Sequence, residues 1–539
     1  MMMIFSTNER PALKRLVRGS VLSAKRRLRQ FGRDEDGALI IFALVLFFLM
    51  VMMGGVSVDL MRHEAKRTTL QQTLDRAVLA AASLQQELDP EAVVRDYFDK
   101  AGMTQYLNGV TVDEGMNYRV VDADASADTN PFFMHMVGVE QFDAFADSGA
   151  EQRISNVEIS MVLDISGSMK GSRITALRPA ARDFIDTVIG SSEPGRVTVS
   201  IVPYQSQVQV GDKLMNQFIP VAQRDHSSSF CMDLTSAQYT AVALPTSPLP
   251  QQAGHFDAES DQSTKTATDF FCQNISGNVI TPLSADAAYL KGRVNAMAVD
   301  GWTAIDIGMK WGALLLDPAS QPVVSGLIAA GAVEPEFEGR PLDPEAENVL
   351  KVVVIMSDGE NTTELRLKPG YYSGDSNIYK RTSNGALSLY HAARSGTTKY
   401  YWLSDSKWHT APDGGLAGST RLTYPQLWKD YTVKWVAKSI YSKALNGGTD
   451  SGANTWYNNF VQNDASLKNA RLSNVCSAAR AKGIVVFAIG FEAPVAGRTA
   501  LRDCASPDRD QHYFNASTVD IGSAFSAIAN QISNLRLTQ

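Results

Sequence analysis

Residues Ala38 to Val58 form a run of 21 residues without a charged side chain, and this run partitions the chain before any fold is considered. At ~1.5 Å of helical rise per residue it spans ~30 Å, one bilayer hydrocarbon core. No face of it is polar, which sets it apart from the surface helix of a soluble domain. A cleaved secretory signal would have a shorter apolar region ending at small residues, whereas this run continues into Leu60-Met61-Arg62-His63. The expectation is therefore a single membrane span. Residues 1–33 hold nine Lys/Arg against one acid, Glu9, and Asp59 follows the run directly. That asymmetry predicts a cytoplasmic N-terminus and export of the remainder.

The basic head also skews the overall charge. The chain carries −7 in total, and with +8 in residues 1–33 the remainder carries −15. An acidic bulk argues against nucleic acid as a partner. At 539 residues, 44% apolar and 20% charged, the chain reads as two or more globular units. All four cysteines, Cys231, Cys272, Cys476 and Cys504, lie beyond the span. An even count outside the cytosol predicts disulfides, and proximity along the chain favours Cys231–Cys272 and Cys476–Cys504.

Four regions follow from the patterning. Residues 1–33 are a basic cytoplasmic segment. Residues 34–88 hold the span and a helix continuing from it; Leu70, Leu74, Ala77, Ala81, Leu84 and Leu88 form a stripe at three-four spacing that predicts packing against the next segment. Residues 89–155 read as a small α+β region. From residue 156 short apolar runs alternate with helical periodicity. Val157–Leu163, Val197–Val202, Leu350–Met356 and Ile484–Ile489 read as strands, and Arg173–Ile189, Ala285–Val299, Ala304–Leu316, Leu467–Lys482 and Ile521–Leu535 as helices. This alternation predicts an α/β unit with a parallel sheet covered on both faces. Insertions at about 204–284 and 360–463 interrupt it. The second holds five of the seven Trp and ten of the seventeen Tyr. A helix is predicted over Tyr424–Leu445, and the aromatics are expected to form a satellite core in preference to a binding surface.

Ligand sites in open α/β sheets lie at the carboxyl ends of strands. Asp164 and Asp358 both fall at such ends. Around them are Asp164-Ile-Ser-Gly-Ser168, Asp300-Gly-Trp-Thr303 and Ser357-Asp-Gly359, which offer Asp164, Ser166, Ser168, Thr303 and Asp358 as oxygen donors. An all-oxygen set suits Mg²⁺, with Mn²⁺ as the alternative, and does not suit Zn²⁺. Only two of the five are anionic, so a bound cation would remain under-neutralised and would accept a carboxylate from a partner. A hydrolase would need a general base near activated water. The seven histidines lie outside these loops, and Glu360, two residues after Asp358, is the one acid offered as a base and is expected to be solvated.

Those three segments resemble the von Willebrand factor A domain and its metal-ion-dependent adhesion site, over roughly residues 156–535. The resemblance implies a Rossmann-like fold, a divalent cation, and protein binding without catalysis. Trp302 departs from the small residue often found beside the threonine. Arg33-Asp-Glu-Asp-Gly-Ala-Leu-Ile-Ile-Phe42, the apolar run, Asp59 and the Ala-rich Asp75–Ala82 resemble TadE/TadG-like proteins of Tad (Flp) pilus assembly. Phe42 stands where prepilin-like relatives carry Glu five residues after the cleavage glycine, here Gly37, which argues against processing there. Together the two resemblances imply a TadG-like, non-enzymatic protein of a bacterial inner membrane. Its bulk would be periplasmic, and it would bind a pilus or pilus-assembly protein that presents an acidic residue. An adhesin engaging an external ligand is the alternative.

Overall fold

The computed structural model describes residues 36–535 apart from 84–85, 87, 116–117, 154–155, 191, 193, 246 and 344–348. The basic segment 1–33 lies outside the described residues. The chain divides into two compact units, one of residues 1–113 with 120–151 and one of residues 114–119 with 152–539.

The first unit is built on α1 (Asp36–Ala82), a 47-residue helix. Side chains from Leu39 to Met53 are exposed, and α1 is the one described helix long and apolar enough to cross a membrane. Its second half is amphipathic: Leu70, Leu74, Ala77 and Ala81 are buried. They pack on the segment that follows, as the stripe predicts. That segment comprises α2 (Pro90–Lys100), capped where Asp89 accepts the Glu91 N–H, and a sheet in the order β1 (Leu107–Gly115), β2 (Tyr118–Thr129), β3 (Phe142–Arg153). Val121, Ala123, Ala125 and Ala127 alternate into this core from β2. Alanines of both α1 and β2 lie in this core. The helix stops at Ala82, before the expected Leu88, and Leu88 is exposed.

The second unit centres on a six-stranded sheet. Its elements, in chain order, are β4 (Asn156–Asp164), α3 (Ser172–Gly190), β5 (Val197–Tyr204), β6 (Thr281–Ser284), α4 (Ala287–Ala296), α5 (Ile305–Leu314), β7 (Val349–Ser357), α6 (Lys468–Ala481), β8 (Val485–Phe491), β9 (Tyr513–Ala516) and α7 (Ile521–Leu535). The strand order is β9-β8-β7-β4-β5-β6. Five strands are parallel. The edge strand β6 runs antiparallel to β5, on whose free edge it pairs after the first excursion. Val157, Ile159, Met161 and Leu163 point from β4 towards α3, α4 and α7. Val162 faces the opposite core with α5 and α6. Both faces are therefore covered, and β4 and β7 are buried along their full length, which explains their largely apolar character; the charged exceptions, Glu158 of β4 and Lys351 of β7, pair with each other at 3.0 Å.

The two excursions share one satellite core. Phe256, Ala258 and Phe271 of the first pack with Leu427, Trp428, Val433, Ile440 and Phe460 of the second. A five-stranded sheet over residues 375–423 lies on the same core. The aromatic residues are thus largely structural, as expected. The single helix expected over Tyr424–Leu445 is instead broken. Tyr424–Asp430 is helical, Tyr431 is extended, and helix resumes at Val433 under a Thr432 cap that accepts the Trp435 N–H. The cause is tertiary: the Thr432 N–H donates to the Lys265 carbonyl and the Val433 N–H to the Asp257 carbonyl, tying the break to the first excursion. Both disulfides form as paired above, Cys231–Cys272 and Cys476–Cys504.

Gly312 on α5 lets that helix lie against β4, since a Cβ there would sit 2.3 Å from Val162 Cγ2. Gly312→Ala is expected to destabilise the second unit by about 1–3 kcal/mol through overpacking. Its thermal midpoint should fall by several degrees, read by circular dichroism against wild type.

Candidate metal centre

The site begins with strand register. β4 and β7 are adjacent and parallel, with Leu163 opposite Met356. The next residues along, Asp164 and Ser357-Asp358, therefore emerge side by side at the carboxyl edge. Chain direction diverges here, from β4 to β5 on one side and to β7 on the other, so this is a topological switch point.

Three loops meet at that edge and bond to one another. Gly167 N–H donates to the Gly301 carbonyl at 2.8 Å, joining the first loop to the second. Gly301 holds φ +75°, and a Cβ there would lie 2.7 Å from Ser206 Oγ, so both backbone and space demand glycine. The second loop is fixed to the third. Thr303 N–H donates to Thr362 Oγ1 at 2.9 Å, and Ile305 N–H donates to Asn361 Oδ1 at 2.8 Å. Buried Lys468 on α6 donates to the Thr303 carbonyl at 2.7 Å.

These contacts bring all five expected donors to one loop cluster. Asp164 is fully buried; Oδ1 accepts the Ser166 N–H at 2.8 Å and Oδ2 accepts Ser357 Oγ at 2.6 Å. Ser166 Oγ and Ser168 Oγ are 3.1 Å apart, and Ser168 Oγ donates to Asp358 Oδ1 at 2.7 Å. Thr303 Oγ1 faces Gly359, 3.3 Å from where a Cβ would stand. Asp164, Ser166, Thr303 and Asp358 are buried while Ser168 is exposed, so the cluster opens outward at Ser168. Glu360 is also exposed.

The electrostatics favour a positive guest. Burial, and then the neighbouring Asp358 charge, push the Asp164 carboxyl up to about 6. Two carboxylates are being held together against their repulsion. The hydroxyl spacing also fits: adjacent ligands of an octahedral Mg²⁺ at ~2.1 Å lie ~3 Å apart. Two carboxylates and three hydroxyls make a hard-oxygen set, and a divalent cation fits it.

One residue here gave no sequence signal. Arg173, in the first turn of α3, places Nη1 2.5 Å from Asp358 Oδ2 and 3.3 Å from the Ser168 carbonyl, while its Nε donates to Glu492 at 3.0 Å. Only the fold brings α3 over β7. The guanidinium occupies one oxygen of an expected metal ligand, so it competes with a cation for Asp358. Beside the loops lies a cavity of about 460 Å³ lined by Ser168, Trp302, Thr303 and Asp300, with Glu259 and Asp269 contributed by the first excursion. Trp302 is partly exposed on that wall. Arg173→Ala should tighten Mg²⁺ binding by about tenfold, since even a partly solvated charge a few ångströms away costs ~1 kcal/mol or more. Isothermal titration of both proteins checks this, and weaker binding in the variant would make Arg173 a support for the site.

Comparison with known proteins adds the following. Residues 37–84 match the family described as putative Flp pilus-assembly TadE/G-like. A search of curated proteins finds no match. Among solved structures, the pilus adhesin SpaC of Lactobacillus rhamnosus GG is 12% identical, with 79% of this chain and 34% of that one covered and a TM-score of 0.32. The vWF domain of the type V pili tip protein Mfa5 of Porphyromonas gingivalis is 13% identical, with 70% and 95% covered and a TM-score of 0.29. The pilus adhesin RrgA of Streptococcus pneumoniae is 11% identical, with 77% and 47% covered and a TM-score of 0.29. This chain spans about a third of the length of the SpaC structures. The helix from the apolar run through the Ala-rich stripe is similar to Flp pilus-assembly TadE/G-like proteins.

Proposed function

We propose that this chain is a membrane-anchored, non-enzymatic component of Tad (Flp) pilus assembly. Its N-terminus lies in the bacterial cytoplasm and its bulk in the periplasm, held at the inner membrane by Ala38–Val58. Its second unit is a von Willebrand A domain that takes up Mg²⁺, or Mn²⁺, through Asp164, Ser166, Ser168, Thr303 and Asp358. There it binds an acidic residue of a pilus or pilus-assembly protein.

The observation that carries this reading is the meeting of five oxygen donors, only two of them anionic, at the carboxyl ends of adjacent strands with an exposed edge at Ser168. A divalent cation bound there supplies a point of attraction for a carboxylate from outside. The chain's own residues do the positioning. Ser357 and the Ser166 N–H fix Asp164, and Lys468 and Thr362 fix the Thr303 loop. Arg173, paired with Asp358 Oδ2, opposes the cation by its like charge. The pilus context is supported by the family match at residues 37–84. Export is supported by the Lys/Arg asymmetry and by two disulfides, which persist in oxidising compartments.

The test is capture of purified pilus and pilus-assembly proteins on the immobilised full-length chain in detergent. Capture in Mg²⁺ is expected to drop at least tenfold with chelator and with Asp164→Ala. Capture that is indifferent to both would contradict a cation-bridged interface.

A further inference from the structure

The loop between β2 and β3, residues 130–141, has no role in the function proposed above. From Asn130 to Val139 it contains no Asp, Glu, Lys or Arg, and it reads Pro131-Phe-Phe-Met-His-Met-Val137. Apolar side chains at a loop tip are normally tucked away. Here Phe132 is 68% exposed, Met136 77% and Val137 50%.

The same loop is fastened to α1 at a defined height. Asp59, one residue past the apolar run, is buried to 1% exposure. Its Oδ1 accepts the N–H of Phe132 at 2.9 Å, and its Oδ2 accepts the N–H groups of Phe133 and Met134 at 2.6 and 2.8 Å. Three backbone donors on one carboxylate lock the loop against the helix. The Phe133 ring lies on Gly55, where a Cβ would come within 2.4 Å of Phe133 Cγ. Gly55 is inside the uncharged run, four residues or ~6 Å along the axis from Asp59. One turn beyond, the Arg62 guanidinium covers the Phe132 ring at 3.9 Å from its centroid.

We infer that residues 131–137 form a second membrane contact, a wedge of Phe132, Phe133, Met136 and Val137 seated in the outer headgroup and acyl boundary beside α1. The inference rests on the reading of Ala38–Val58 as a membrane span. Given that span, Gly55 sits within the hydrocarbon edge, and a ring packed on Gly55 sits at the same depth. The exposed apolar tip then faces lipid, and Arg62 stands at phosphate level with its guanidinium on the Phe132 ring. Continuity with the span selects lipid as the occupant. The Asp59 clamp has a physical reason too, because a loop entering that boundary must have its amide groups satisfied from within the protein. Held at two points, α1 would resist rotating or sliding in the bilayer.

The test uses the full-length chain in phosphatidylcholine/phosphatidylglycerol vesicles, with a nitroxide on Met136→Cys, Met50→Cys or Val519→Cys; all native cysteines are in disulfides. Collision with oxygen reports lipid, and collision with a nickel chelate reports water. Residue 50 is expected deep in the bilayer and residue 519 in water. Residue 136 should show an oxygen-to-nickel ratio several-fold above residue 519 and below residue 50. Adding Asp59→Ala should return residue 136 towards the aqueous ratio. A water-like residue 136 beside a lipid-like residue 50 overturns the wedge while leaving the span intact. Low collision with both reagents at residue 136 overturns it in favour of a protein neighbour. A water-like residue 50 removes the span and the wedge together.

Discussion

The pairing of Leu163 with Met356 on adjacent parallel strands is the constraint from which the rest of the second unit follows. It sets Asp164 beside Ser357 and Asp358 at one edge of a sheet buried on both faces. Burial removes the water that would screen two neighbouring carboxylates, and the fold must compensate. It does so with short hydrogen bonds from Ser357, Ser166 N–H and Ser168, and with the Arg173 guanidinium. A slip of one residue in that register would turn the side chains of β7 to the opposite face and dismantle the cluster.

The excursions serve this edge without supplying donors. They bury their aromatics against each other, with Phe256 and Phe271 of the first packed into the core that the second, rich in Trp and Tyr, builds. At their base Glu364 and Asp464 pair with Arg471 of α6 at 2.7 and 3.1 Å, close in sequence to the Lys468 that holds Thr303. The first excursion carries Glu259 and Asp269 to the cavity beside Ser168. An acidic wall there would repel an acidic partner unless a cation stood between them, which agrees with a bridged mode of binding. Arg173 adds a second control, since its positive charge on Asp358 Oδ2 opposes the charge of a divalent ion at the same carboxylate.

Much of this was legible in the sequence because burial and chain direction leave strong marks. The run Val352–Met356 and the mostly apolar Val157–Leu163 signal strands covered on both faces, and an Asp one or two residues after such a run signals a strand end. The stripe from Leu70 to Ala81 likewise announced a helix that packs on its neighbour. What was hidden depends on contacts distant in the chain. Arg173 is an ordinary helix residue until α3 is laid over β7. The break at Tyr431 is invisible locally, since Tyr424–Leu445 keeps helical spacing; it exists because Thr432 and Val433 bond to the first excursion. The antiparallel edge strand β6 was missed because a four-residue strand closing a long excursion has too little pattern to set its direction.

The central claim is that the three loops form one divalent-cation site. The most direct measurement is anomalous diffraction from crystals of the chain grown or soaked in Mn²⁺. The account predicts one strong anomalous peak within about 2.0–2.3 Å of Ser166 Oγ and Ser168 Oγ. Thr303 and the two aspartates should close around it, directly or through water, with Arg173 drawn away from Asp358. No peak at the loops, with the Arg173–Asp358 pair intact at saturating Mn²⁺, would contradict it.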